Sequence, residues 1–280
     1  MSETALRLGR LRRTGRIPAW IGLTVIAIWI LVALLAPVLA PHPPGAILRQ
    51  GMLSAVSAAA PFGTDYLGRD MLSRVIYGSR YTVGMALLAT AIACGTGVVL
   101  GILAAVRGGW VDGLLSRMAD VLISIPHLMF ALVIVAALGS SLPVLVGVIA
   151  FSYVPGAFRI ARSLAVNVNA MDFIQVARAR GEGTSYIVLH EILPNMLLPV
   201  LTDFGLRFVF SVLLLSSLSF LGLGIQPPDA DWGALVRENI DGIYDGAPAV
   251  IAPALAIATL TIAVNLVIDS LGGRAPRAST

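Results

Sequence analysis

Between Asp120 and Arg159 lie 38 consecutive residues, Val121 to Phe158, without one charged side chain. A helix crosses a bilayer in about 20 apolar residues, so this stretch is too long for a single crossing. Its punctuation is Gly139-Ser140-Ser141-Leu142-Pro143, which divides it into spans at about 121–139 and 143–160. Pro126 and Pro155 sit where they kink or end those helices. A chain carrying such a segment folds in a membrane.

The remaining sequence repeats the pattern. Hydrophobic residues make up 58% and charged residues 12%, against about 25% charged in a soluble domain. Trp20 to Leu39 is uncharged, follows Arg7, Arg10, Arg12, Arg13 and Arg16, and ends in Pro41, His42, Pro43 and Pro44. With no small-residue cleavage site, it reads as a first span rather than a cleaved signal. Residues 61–80, PFGTDYLGRDMLSRVIYGSR, place Asp65 with Arg69 and Asp70 with Arg74 at i, i+4, beside apolar Leu67, Met71, Leu72, Val75 and Ile76. That spacing predicts an amphipathic helix lying at the outer membrane surface.

Tyr81 to Val106 is the second span, with Gly97, Gly101 and Ala105 forming a stripe for close helix packing. Arg107 to Asp120 reads as a short inside connection. The fifth apolar run, Asn195 to Ile225, is long enough to require tilt or a break. It holds Asp203 and Arg207, an acid-first i, i+4 pair that neutralises itself and reads as structural. Gln226 to Ala247 is an acidic outer segment (Asp229, Asp231, Glu238, Asp241, Asp245), and Ala247 to Ile268 is the sixth span.

Every basic residue is arginine, and the arginines set the orientation. Thirteen of the 19 fall in the segments assigned inside, including Arg274 and Arg277, five fall outside, and Arg207 lies in a span. Positive charge is retained on the cytoplasmic side, which predicts an all-α polytopic protein of six spans with both termini cytoplasmic.

One polar interval does not read as a loose loop: DFIQVARARGEGTSYIVLHEILPN at 172–195. Asp172 with Gln175 three residues on is a helix-start pattern, and Gly181 and Gly183 are helix stops. Thr184 or Ser185 then caps a second short helix running to Pro194, the first turn of the next span. The expectation is a folded helix–turn–helix between two spans, shaped to be gripped.

The chain lacks an obvious energy source. Without lysine it has no phosphate-cradling P-loop. A proton-coupled secondary transporter using Asp203 is the alternative. An intramembrane hydrolase would need His127 within reach of Ser140 or Ser141, without an elbow motif to support it. His42, His190 and Cys94 are isolated and show no metal-ligand spacing.

Four stretches resemble the permease subunits of ABC importers, specifically the second permease of the dipeptide, oligopeptide and nickel group. They are GTDYLGRDMLSR at 63–74, DGLLSRMADVLISIPHLMFAL at 112–132, SLSFLGLGIQPPDADWG at 217–233, and QVARARG at 175–181 followed by ILPN at 192–195. The resemblance implies a type I importer transmembrane fold. It divides the chain into a cytoplasmic tail (1–18), a first helix (19–40), an extracytoplasmic segment (41–79), a five-helix transmembrane domain (80–270) and a second tail (271–280).

It further implies a non-catalytic subunit that binds no cofactor itself and no nucleic acid. Its partners would be a homologous second permease, two cytoplasmic ATPase subunits carrying ATP and Mg, an extracytoplasmic solute-binding protein and membrane lipid. The coupling helix would lie at about 172–186, with Asp172, Gln175, Val176, Ala177, Arg178, Gly181, Leu193 and Pro194 forming the ATPase-coupling loop. Two departures stand out. Gln175-Val176-Ala177 replaces the family's Glu-Ala-Ala, and Arg180, Glu182 and Gly183 stand where small or apolar residues are usual.

Overall fold

A computed structural model describes residues 16–244 and 248–272. The arginines of the N-terminal tail before Arg16, Asp245, the start of the sixth span at Ala247, and Arg274 and Arg277 lie outside the described residues. Helices α1 (Arg16–Leu34), α3 (Met71–Arg107), α6 (Leu142–Asn169), α9 (Leu193–Phe220) and α11 (Ile251–Gly272) have the length and apolarity of membrane spans. Short α2 (Ala36–Leu39) extends α1, and α8 (Thr184–Tyr186) prolongs α9 backwards through a π-helical turn, Ile187–Ile192. The remaining span is broken: α4 (Gly109–Ile123) and α5 (His127–Leu138) meet at an 84° bend. Counting that pair as one gives six.

The closest packing joins α3 to α6, and small residues explain it. A Cβ on Gly101 would stand 2.7 Å from the Arg162 nitrogen, and one on Gly97 2.8 Å from that of Phe158. Ala105 continues the same face against the cluster around Ile102 and Ala165. A side chain larger than hydrogen at either glycine would push the two helices apart. A second core, around Trp232, Met71, Val212 and Leu260, joins α3, α9 and α11 at the other end of the bundle.

Three expectations need correction. Residues 107–120 are not a connecting loop: Arg107 ends α3 and residues 109–120 are most of α4. Its charged residues suggested water, yet Asp112 makes a bidentate ion pair with Arg162 of α6. The bend falls instead at Ser124–Pro126, because Pro126 has no N–H to continue α4. The amphipathic helix predicted over 61–80 forms only from Met71 onward, as the first turns of α3. Residues 63–70 form turns and isolated bridges, the Asp70 carboxylate caps α3 by accepting from the Ser73 N–H at 3.1 Å, and α3 runs on without interruption.

Nor do the charges there lie on a surface. Asp65 is fully buried and accepts from Arg69 Nε at 2.6 Å and Arg74 Nη1 at 2.7 Å. Glu238 completes the group, 2.7 Å from the same Arg74 nitrogen. Arg74 therefore does not pair with Asp70, whose carboxylate turns to His42 and Ser73. Asp65, Arg69, Arg74 and Glu238 each find an opposite charge within 3.5 Å, the condition on which ions are tolerated in a protein interior, while Arg74 Nη2 and Asp70 Oδ1 have no hydrogen-bond partner among the described residues.

The acidic outer segment is likewise folded. In α10 (Trp232–Glu238), Trp232 is fully buried, donates from its ring nitrogen to the Val75 carbonyl at 3.0 Å, and packs edge-on against Trp29. Asp231 caps α10 through the Gly233 and Ala234 N–H groups and receives the Ser219 hydroxyl. Burial pushes its carboxyl above the usual range, partly offset by those hydrogen bonds. Asp229 and Asp241 remain exposed.

Candidate functional site

The interval 172–195 folds around one short helix, α7 (Asp172–Ala179). Its N-cap is Met171 in extended conformation, without a side-chain cap bond. Asp172 lies one position inside, where its negative charge favours the helix N-terminus rather than closing a capping box. The C-terminus forms a Schellman turn. The Glu182 N–H reaches the Ala177 carbonyl at 3.1 Å, and the Gly181 N–H reaches that of Arg178 at 3.0 Å. Gly181 holds φ +82°, a conformation that a β-branched residue adopts only under strain.

Gly183 does not stop the helix. It is the extended residue ahead of α8, so neither Thr184 nor Ser185 caps. No second short helix ends at Pro194 either. The π turn carries the chain directly into α9, placing Leu193 and Pro194 in its first turn. Pro194 cannot donate to the carbonyl four residues back, and the wider π turn falls where that ladder is interrupted.

The two faces of α7 differ sharply. Ile174 and Ala177 are buried against Ile102 of α3, Ala165 and Val168 of α6, and Ile187, Ile192 and Met196 at the foot of α9. Beside this buried stripe, Phe173 and Val176 are 39% and 58% exposed, flanked by exposed Gln175 and Arg180. Arg178 is turned back, donating to the Asn169 side chain at 2.7 Å. A helix so placed is anchored to three spans along one stripe and presents two bare apolar side chains beside it.

Asp203 and Arg207 lie at mid-length of α9. Arg207 Nε and Nη2 reach the two carboxylate oxygens at 2.6 and 3.0 Å, and Nη1 reaches the Tyr153 carbonyl at 3.2 Å. The His127 and Tyr153 rings meet at a tilt of 54°, with centres 5.1 Å apart. Among the described residues no hydrogen bond joins His127 to Ser140 or Ser141, so the hydrolase pairing is not formed. No group of three metal-ligating side chains occurs among them. The buried charge cluster around Asp65 escaped the sequence because the i, i+4 spacing gave its arginines nearer partners. Glu238 is 164 residues from Arg74, and only the fold joins them.

The chain belongs to the family of binding-protein-dependent transport system inner membrane components, which matches residues 97–275. It is 34% identical, over 90% of its length and 83% of the relative's, to the dipeptide transport system permease protein DppC of Alkalihalophilus pseudofirmus. It is 35% identical, over 88% and 83%, to the probable D,D-dipeptide transport system permease protein DdpC of Escherichia coli. The glutathione transport system permease protein GsiD of Pectobacterium atrosepticum is 33% identical over 77% of this chain and 71% of its own. The protein is thus an inner-membrane permease of a binding-protein-dependent transport system, and the proton-coupled alternative built on Asp203 is set aside.

Proposed function

We propose that this chain is the non-catalytic permease half of an ATP-driven importer of short peptides. It pairs with a homologous permease and receives its solute from an extracytoplasmic binding protein. Two cytoplasmic ATPase subunits, which carry the ATP and Mg, drive it. The peptide reading draws on the relatives' names, and both termini are placed in the cytoplasm on the arginine distribution.

The observation that carries the coupling role is the two-faced α7. Its exposed face, Phe173, Val176 and Gln175, is the handle that an ATPase subunit grips. The buried face, Ile174 and Ala177, passes displacement to the feet of α3, α6 and α9. Nucleotide-driven closure of the ATPases would then bias the spans between two arrangements. Gly181→Val tests this, since it strains the turn that presents the handle while its Cβ meets no neighbouring atom. In proteoliposomes holding all subunits, the variant should insert normally and lose peptide uptake. Normal uptake would contradict the coupling role.

A further inference from the structure

Mid-membrane charges are costly and mark functional sites by default. Mutual pairing explains how α9 tolerates Asp203 and Arg207. It does not explain why they are there, because an apolar pair of similar volume would pack without that cost. The surroundings supply the reason. Arg207 is accommodated by Gly156, where a Cβ would stand 2.8 Å from Nη1. It holds the carbonyl of Tyr153, whose ring contacts His127.

His127 is exposed and is the first residue after the Ser124–Pro126 break in the third span. Pro155, half a turn beyond Tyr153, lines a small cavity with His127 and Ile125. Three departures from regular membrane-helix chemistry therefore meet in one place: a broken span, an internal proline and an ion pair. Irregular backbone at membrane depth is tolerated where protein covers it or where it lines an aqueous path. Discontinuous helices mark solute sites in other transporters.

We infer that Asp203 and Arg207, beside His127, form a waypoint on the translocation path for the charged ends of a zwitterionic peptide. This rests on the peptide-import reading above. Arg207, with its planar fork, takes the terminal carboxylate, and Asp203 takes the terminal ammonium. Between passages the two residues close on each other. Occupied or empty, the site sums to zero charge, and exchange of partners leaves no ion unpaired. The side chains remain 11% and 18% exposed, so neither charge is sealed off within this chain.

The test uses the full complex with partner permease, ATPases and binding protein, and labelled L-alanyl-L-alanine as probe. The double variant Asp203→Asn/Arg207→Gln removes both charges without stranding either. It should co-purify with its partners and melt as wild type does. Its maximal uptake rate at saturating loaded binding protein should fall at least ~10-fold, about what one charge-assisted hydrogen bond contributes. Arg207→Lys, which keeps the charge and loses the fork, should lie between, and it decides the matter should the double variant not assemble. Wild-type uptake rates in an assembled double variant, or in Arg207→Lys, would make the pair structural only and overturn the inference. If the wild-type complex imports another solute but not the dipeptide, the peptide reading fails and this inference falls with it.

Discussion

The two ends of the bundle spend their polar residues in opposite ways. At one end Asp65, Arg69, Arg74, Glu238, Asp231 and Trp232 are drawn inward, held by near partners such as Asp65 with Arg69 and by distant ones such as Arg74 with Glu238 and Trp232 with Val75. At the other, α7 keeps Gln175, Arg180 and Val176 in the open and buries only Ile174 and Ala177. The first arrangement locks the 63–74 segment, α3 and α10 into one frame. The second leaves a surface whose own chain does not use it. A transporter driven from outside needs both: a rigid body to tilt and a handle by which to tilt it.

The largest effect expected from breaking this contrast lies in the frame. Asp65→Ala would leave Glu238 as the one carboxylate facing two buried arginines, and removing one partner of a buried pair costs about 3–5 kcal/mol. We expect the purified variant to melt well below wild type or fail to accumulate. A small shift would mean that water already reaches the cluster.

Asp231 gives a smaller, pH-dependent test. Its carboxyl is raised in the fold by burial, so the folded state holds its proton more tightly than the unfolded state. Its contribution to stability is therefore full below the ordinary carboxylate range and is lost as pH rises through the raised value. Asp231→Asn can keep the cap bonds to Gly233 and Ala234 without a charge. The melting difference between variant and wild type should shift toward the variant as pH rises, and a pH-independent difference would contradict it.

The smallest effect lies in the handle. Gln175 is exposed and makes no side-chain hydrogen bond among the described residues. A carboxylate there would bond an ATPase arginine roughly twice as strongly as an amide. Gln175→Glu should tighten ATPase binding a few-fold in reconstituted complexes with no change in melting, and unchanged affinity would refute it.

Much of this contrast could be read from sequence, but unequally. The number of spans followed from the uncharged stretches, and Gly181 was legible as the turn because its φ is a local requirement. Helix boundaries were less so. Asp112, Arg117 and Asp120 suggested a loop, yet they lie on α4, where a partner 50 residues away takes up Asp112. Pro126 was the signal for the true bend. The Asp65 cluster misled most, since residues spaced for an amphipathic helix instead met Glu238 across the fold. Local spacing determines turns and spans, whereas buried charge depends on partners that only tertiary structure supplies.

Cross-linking tests the central claim, that the open face of α7 is where an ATPase subunit grips. Single cysteines at Val176 and at Tyr244, both exposed but at opposite ends, would be introduced after Cys94→Ser and tagged with a photoactivatable cross-linker in membranes containing the whole complex. Val176→Cys should yield an adduct with an ATPase subunit, and Tyr244→Cys should yield none. Absence of an ATPase adduct at 176, or an equal one at 244, would contradict the claim.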